Sequence, residues 1–324
     1  MNRPRRQFLR LAAGAAVLPA SSRFGWAQAY PTRPVRIIVG VAAGQGPDIT
    51  ARLMGQWLSE RLGQPFIVEN RPGAASHIAA EAVVHAPSDG HTLLLVSSAH
   101  AIGATLFGKL NFNFIRDIAP VASITRGTLV LEVNLSVPTK TISEFIAYAK
   151  AHPGKLNFAS TSNGAASHVA GELFKMMAGV NLVHVPYRGG GGLNDLLAGQ
   201  IQVMFDPLGS SIEAIKTGKV RALAVTTAGP SEALPNLPTV GQFVPGYEAS
   251  LWNGVGAPKG TPPEITDTLN KEINAGLAYP KLKAKFANLG YMSVASSPAD
   301  FGKLIAEETE KWAKVVKFAG VKAE

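Results

Sequence analysis

One local pattern recurs along this chain and limits its folds more than any other feature: a short apolar run, a Gly- or Pro-marked turn, then apolar residues at helical spacing. Val35-Arg36-Ile37-Ile38-Val39-Gly40-Val41 reads as a strand, and Ile49, Leu53, Trp57, Leu58 and Leu62 follow at helical intervals. Residues 65–69 read as a second strand, 78–84 as a helix and 92–97 as a third strand. Such alternation specifies a parallel sheet with helices on both faces, because parallel strands need a crossover and the crossover covers a face.

The pattern restarts after about residue 128. Strands are expected at 129–133, 156–159, 183–185, 201–205 and 220–226, with helices at 143–151, 167–177 and 212–216. The chain therefore reads as α/β with two similar lobes, in keeping with 324 residues at roughly 150 per domain. Residues 227–263 are rich in Pro and Gly, and Leu251-Trp252-Asn253-Gly254-Val255-Gly256 reads as a strand returning to the first lobe. A chain that leaves a lobe and re-enters it crosses between lobes twice. The expected division is 1–29 as a leader, 30–127 plus 249–324 as lobe 1, and 128–248 as lobe 2. In the tail, Ser297-Pro298-Ala299-Asp300 is a capping box with Pro at the first helical position. Phe301, Leu304, Ile305, Trp312 and Val315 share one face of that helix, and Glu307/Lys311 and Glu310/Lys314 are expected to pair on another.

Residues 1–29 have the make-up of an export signal: a basic start, the apolar stretch 11–18, and small residues ending in Ala27-Gln28-Ala29. Arg5-Arg6-Gln7-Phe8-Leu9-Arg10 resembles a twin-arginine leader, and an ordinary Sec leader remains the alternative. The chain carries 31 basic and 22 acidic residues, but Arg3, Arg5, Arg6, Arg10 and Arg23 belong to the leader. The remainder, 26 against 22, has no basic run, so no nucleic-acid partner is expected. Zero cysteines exclude a disulfide, a thiolate nucleophile, a Cys-containing zinc site and an N-terminal lipid anchor. The expectation is a soluble periplasmic protein.

Ala42-Ala43-Gly44-Gln45-Gly46-Pro47-Asp48 lies between a strand and a helix, where backbone N–H groups converge and the helix dipole is positive. Asp48 is expected as the N-cap. Ser160-Thr161-Ser162-Asn163-Gly164-Ala165-Ala166-Ser167-His168 repeats the arrangement in the second lobe, with hydroxyl and amide side chains suited to carboxylate oxygens. Each loop leaves the C-terminal end of a strand, so the two should face each other across a cleft. His168 is expected to line that cleft or to cap its own loop. A third candidate is Tyr187-Arg188-Gly189-Gly190-Gly191-Gly192, where Arg188 pairs with a carboxylate and Tyr187 forms a wall; a glycine-rich surface turn is the plain alternative. Phe205 and Trp252 are candidates for an apolar end of the site.

Enzyme signatures are poorly met. Gly103 to Lys109 has P-loop spacing, but Leu110 stands where Ser or Thr would hold magnesium. The seven histidines form no H-E-x-x-H pair, and no metal or other cofactor is expected. Ser167, His168 and Asp206 suggest a triad only on paper, since adjacent helical residues point about 100° apart.

The residues that carry these loops resemble the Bug-type receptors of tripartite tricarboxylate transporters. The resemblance runs from Tyr30 to the C-terminus through Ala42-Ala43-Gly44 with Asp48, Val68-Glu69-Asn70-Arg71-Pro72-Gly73-Ala74, and Ser88-Asp89-Gly90. It continues through Ser167-His168-Val169-Ala170-Gly171-Glu172-Leu173-Phe174, His184-Val185-Pro186-Tyr187-Arg188-Gly189, Asp195-Leu196-Leu197-Ala198-Gly199-Gln200 and Val203-Met204-Phe205-Asp206. It implies a two-lobed periplasmic-binding-protein fold, type II-like, each lobe a mainly parallel sheet flanked by helices, joined by two crossing strands. It also implies a cleft in which Ala43, Gly44, Gln45 and Asp48, with Ser162, Asn163, Gly164 and His168, hold one carboxylate. The chain departs from the family pattern at Gly40 and Val41, which replace Pro-Phe, at Gln45 and Ser162, which each replace Gly, and in a shorter Tyr187 loop.

The sequence thus points to a monomeric receptor that takes up a small dicarboxylate, tricarboxylate, acidic amino acid or aromatic acid, with Ala43, Gly44, Gln45, Asp48, Ser162, Asn163, Gly164, His168, Tyr187, Arg188 and Asp206 as ligand-binding residues. Membrane transporter subunits are its expected partner. An exported hydrolase or isomerase using the same cleft, and a co-sensor for a membrane kinase, are the alternatives.

Overall fold

The computed structural model describes residues 30–107, 110–187 and 191–322. The leader and Arg188 lie outside these residues.

The first half runs β1 (Val35–Val39), α1 (Gly46–Leu62), β2 (Phe66–Asn70), α2 (His77–Val84), β3 (Thr92–Ser97), α3 (Ser98–Leu106), α4 (Phe114–Asp117) and the long β4 (Ile118–Val133). Then come α5 (Ile142–Ala151), β5 (Asn157–Ser160), α6 (Ala166–Ala178), β6 (Val183–Pro186), α7 (Gly192–Leu197), β7 (Val203–Pro207), α8 (Leu208–Lys216) and β8 (Arg221–Val225). The chain closes with β9 (Ser250–Pro258), α9 (Pro263–Ala278), α10 (Pro280–Asn288), β10 (Tyr291–Ser293) and α11 (Pro298–Ala319).

The two halves share one strand order. β1 lies between β2 and β3, all parallel, and β5 lies between β6 and β7, again all parallel. Antiparallel strands join the two sets: β9 pairs with β3 and with β4, and β4 pairs with β7 and β8. Along β4, Ile118 to Thr128 pairs with β9, while Leu129 to Val133 pairs with β7. Residues 118–128 escape a sequence reading because Pro120, Ser123, Arg126 and Gly127 break any apolar run.

Strands buried on both faces explain the continuous apolar runs. Ile38, Leu94 and Val96 face one core with α2, α3 and α11, whereas Ile37, Val39, Leu93 and Leu95 face another with α1, α9 and α10. In the second sheet, Phe158, Val203 and Phe205 pack under α5 and α6, and Ala159 and Met204 under α7 and α8. Phe205 and Trp252 are therefore core residues, not an apolar end of a ligand site: each is at most 2% exposed.

The tail helix begins as expected, with Ser297 accepting from the Asp300 N–H and Pro298 in its first turn. Glu310 pairs with Lys314. Glu307 does not pair with Lys311; it meets Lys303, because Lys311 turns inward to Glu308 and Glu248. Among the described residues, no helix is long and apolar enough to cross a membrane.

Candidate functional site

Strand register places both expected loops at one cleft. The C-terminal end of β3, Ser97, lies opposite Asn253, which lies opposite Thr125 of β4; the C-terminal end of β7, Pro207, lies opposite Leu129 of the same strand. The C-terminal ends of the parallel strands in both sheets thus approach one short stretch of β4 from opposite sides. The loops after β1 and β5 open there.

The two loops are built alike. Gly44 and Gly164 both adopt left-handed backbone, φ 84° and 73°, where glycine carries no Cβ penalty. Each is followed by an extended N-cap residue, Gln45 or Ala165, and then by a helix. In each, the glycine N–H donates to the side chain four residues on: Gly44 to Asp48 Oδ2 at 2.8 Å, and Gly164 to His168 Nδ1 at 3.0 Å. Asp48 is therefore not the N-cap. Pro47 lies in the first turn of α1, so the helix starts earlier and Asp48 reaches back from inside it.

With those two N–H groups taken, the glycines supply bend and close approach, and donors come from their neighbours. Among the described residues, the N–H groups of Ala43, Gly46 and Asp48, and of Ser162, Asn163, Ala166, Ser167 and His168, have no protein acceptor. Ala42 to Gln45 are exposed. Both groups sit at the positive ends of helices of 17 and 13 residues, a setting that favours an anion without any cationic side chain.

Side chains around the loops act mainly as braces. Asp48 is 1% exposed and also accepts from Arg52 and from Asn70, whose amide reaches the Val41 carbonyl as well. Burial works against its charge, but the bonds from Arg52, Gly44 and Asn70 outweigh it and hold the carboxyl below its usual range. Ser76, at the end of a left-handed run Ala74–Ser76, fills the space where a Cβ on residue 40 would go and donates to the Gly40 carbonyl. That contact gives the physical reason for glycine at position 40.

In the second loop, Ser167 Oγ accepts from the Thr161 N–H, and Asn163 donates to the Lys322 carbonyl. His168 stacks on His184 with centroids 3.5 Å apart and planes 6° apart. Since His168 Nδ1 accepts, its proton is on Nε2; His184 Nε2 lies 2.6 Å from Ser160 Oγ, which itself donates to the Ser162 carbonyl. Burial, then like-charge interactions with His184 and Lys175, push His168 down to about 3; burial and Lys175 push His184 down to about 4. Both are neutral at pH 7. Tyr187 donates to Asp195 of α7 at 2.6 Å, so its hydroxyl is engaged by the helix that follows its loop. Asp206 lies at the end of β7, 2% exposed. Ser167, His168 and Asp206 do not assemble as a triad: the first two bond to separate backbone amides, and Phe205 and Asp206 face opposite sides of the sheet.

The sequence matches the tripartite tricarboxylate transporter family receptor over residues 50–321. The chain belongs to this family. BugT of Bordetella pertussis is 35% identical over 300 residues, covering 91% of this chain and 92% of that protein. An R. palustris protein solved with adipate has TM-score 0.78 at 36% identity, covering 90% of this chain and 99% of that one. MatC from Rhodopseudomonas palustris, solved with malate, has TM-score 0.74 at 31% identity, covering 89% and 100%. The fold is the two-lobed one of periplasmic solute-binding proteins.

For this family member, Tyr291 is a cleft residue that the sequence did not flag. It lies against both Gly46 at the start of α1 and Gly127 of β4, and a Cβ at either position would collide with it. Its signal is non-local: two glycines far apart in sequence make room for one ring. Two surface cavities lie away from the loops. One of about 310 Å³ is lined by Phe107, Phe112, Phe114 and neighbours, and one of about 200 Å³ by Trp57, Tyr279 and neighbours.

Proposed function

We propose that this chain is an extracytoplasmic receptor that captures a small carboxylate-bearing solute between its two loops and delivers it to a tripartite tricarboxylate-type membrane transporter. One observation carries the reading: two matched loops, each a left-handed glycine ahead of a helix, present N–H groups without acceptors at the same cleft. Relatives solved with adipate and malate make a dicarboxylate the first ligand class to try. Donors come from Ala43, Gly46 and the first turn of α1, and from Ser162, Asn163 and the first turn of α6. Gly44 and Gly164 shape the approach, Asp48 and His168 hold the loops, Gln45 sits on the exposed rim, and Tyr187 and Arg188 belong to the third loop.

In this reading lobe 1 comprises 30–127 plus 249–324 and lobe 2 comprises 128–248, with β4 and β9 as the crossing strands. Residues 1–29 direct export, the mature chain is a periplasmic monomer, and binding is its whole biochemical activity.

The test is thermal unfolding against dicarboxylates, tricarboxylates, acidic amino acids and aromatic acids, each beside its neutral amide. At ~100 times the dissociation constant a ligand adds about 2.7 kcal/mol, which raises the midpoint of a protein this size by roughly 4 °C. At least one acid is expected to do this while its amide does not. Equal shifts from acid and amide would overturn the carboxylate site, and turnover of a panel member would favour an enzyme.

A further inference from the structure

Beside the second loop lies a set of buried polar atoms that the carboxylate loops do not use. Ala159 of β5 is in register with Met204, so Asp206 is level with Thr161, the first residue of the second loop. Across the sheet, Asp206 lies opposite Val130 and Met204 opposite Glu132, which puts both acids on the face covered by α7 and α8. Glu132 and Ser211 are fully buried, and Asp206 nearly so. Among the described residues, neither carboxylate oxygen of Glu132, nor Asp206 Oδ2, nor Ser211 Oγ has a hydrogen-bond partner. Ser211 lies close enough to Glu132 to favour its ionised form, though the two do not meet in a well-formed hydrogen bond.

Among the described residues, the charged groups around this cluster are engaged elsewhere. His168, Glu172 and Lys175 of α6 lie across the sheet beside Phe158 and Phe205. Asp195 of α7 accepts from Tyr187, Arg221 of β8 donates to the Val137 and Thr139 carbonyls, and Glu213 and Lys216 of α8 are exposed. β5 brings no charged side chain. Burial pushes Asp206 up to about 7, and burial together with Asp206 pushes Glu132 up to about 8. Buried acceptors without donors are costly, and any group that brings an N–H or O–H relieves that cost.

We propose that Asp206, backed by Glu132, receives the far end of the ligand, and that this end is a hydrogen-bond donor: a hydroxyl, an ammonium, or a second carboxyl group that shares a proton with the pair. The inference rests on the carboxylate-receptor reading, since it needs the near carboxylate at the two loops. A ligand so anchored has Asp206 beside it, at the level of Thr161. A second carboxylate would share a proton with Asp206: at pH 6 the pair already carries it, and at pH 8, where Asp206 is ionised, binding takes up one proton from solvent, held between the ligand carboxyl and Asp206.

The test is calorimetric titration of the mature chain with butyrate, 4-hydroxybutyrate, 4-aminobutyrate and succinate, and with hexanoate, 6-hydroxyhexanoate, 6-aminohexanoate and adipate. Each is run at pH 6 and pH 8 in two buffers of unlike ionisation enthalpy. At one chain length a hydroxy or amino acid is expected to bind at least about tenfold tighter than the plain acid, or the diacid to bind at least about fivefold tighter at pH 6 than at pH 8, with net proton uptake at pH 8. These two outcomes separate the donor sources. Asp206→Asn should erase the preference or the uptake, and Glu132→Gln should reduce it. Plain acids within about threefold of the donor-ended ones, with no proton uptake by diacids, would overturn the inference while leaving the receptor reading intact. So would a preference that survives in both variants. Absence of binding by all eight acids would also overturn it, and the wider acid-and-amide panel judges the receptor reading separately.

Discussion

Leu106 of α3 packs directly over Gly164 of the second loop, so that a Cβ added to the glycine would stand 2.6 Å from Leu106 Cδ1. A side chain from the first half of the chain thereby limits the shape of the glycine loop in the second. The matching glycine in the first loop, Gly44, has nothing within 4 Å of such a Cβ.

The two glycines should therefore respond differently to the same substitution. Gly44→Ala carries the backbone cost alone, ~1–2 kcal/mol, whereas Gly164→Ala adds a clash and should cost more. Leu106→Ala should relieve the second variant and not the first, giving a coupling energy above ~0.5 kcal/mol in a double-mutant cycle followed by urea unfolding. Additive effects would show that Leu106 does not shape the loop.

Asp48→Ala removes the acceptor for Gly44, Arg52 and Asn70 together. The expected cost is about 2 kcal/mol, discounted because the Arg52 partner is half exposed. Ligand affinity should fall as the loop loosens. Unchanged stability with unchanged affinity would remove Asp48 from the account.

How far the sequence carried depends on whether the deciding contact is local. The strand, glycine and helix order around Val35–Leu62 and Asn157–Ala178 is a local pattern, and both loops follow from it. The role of Asp48 did not, because Pro47 starts the helix earlier than a cap at position 48 would allow. Asn70, Ser76, Leu106 and Tyr291 act on loops 20 or more residues away, and no spacing rule reaches them. Helix α9 is different: Leu269, Ile273 and Leu277 recur at four-residue steps, a local signal that was there to be read, yet no element was expected over residues 264–296. Phe205 and Trp252 show the reverse failure, aromatic residues near the cleft in sequence that fold into the core.

Stability should be nearly level from about pH 4.5 to 6.5 and fall above that. Unfolded, His168 and His184 titrate near 6.5, and folded near 3 and 4, so the unfolded chain takes up protons first and the stability from this pair falls as the pH drops below 6.5. Glu132 and Asp206 act in the opposite sense: raised to about 8 and 7 when folded, they favour the folded chain at low pH, and that stability is lost as the pH rises from the usual carboxylate range of about 4 through 7 to 8, so that below 6.5 the acids and the histidines nearly cancel. Urea unfolding from pH 4.5 to 8.5 should show Glu132→Gln making the fall above pH 6.5 shallower and His168→Gln making the fall begin below pH 6.5. Wild-type slopes on both sides in both variants would contradict the assignment.

Glu308 ties the tail helix to a crossing strand: its Oε2 accepts from the indoles of Trp252, at 3.1 Å, and Trp312, at 2.8 Å, while Lys311 meets its Oε1. Glu308→Ala leaves two buried indole N–H groups without their acceptor and Lys311 with Glu248 alone, and should cost about 2 to 4 kcal/mol. Glu308→Gln should cost less, since it keeps an acceptor. Tryptophan fluorescence during unfolding checks both, and an alanine variant as stable as wild type would contradict the arrangement.

The claim on which everything else depends is that backbone N–H groups of two loops hold one carboxylate. Amide ¹H–¹⁵N spectra of the mature chain, titrated with an acid that stabilises it and with the matching neutral amide, test this directly. Saturable downfield shifts are expected at Ala43, Gly46, Ser162 and Asn163 with the acid and not with the amide, with smaller changes at Gly44 and Gly164, whose N–H groups already have acceptors. An acid that binds tightly while leaving both loops unshifted would contradict the account.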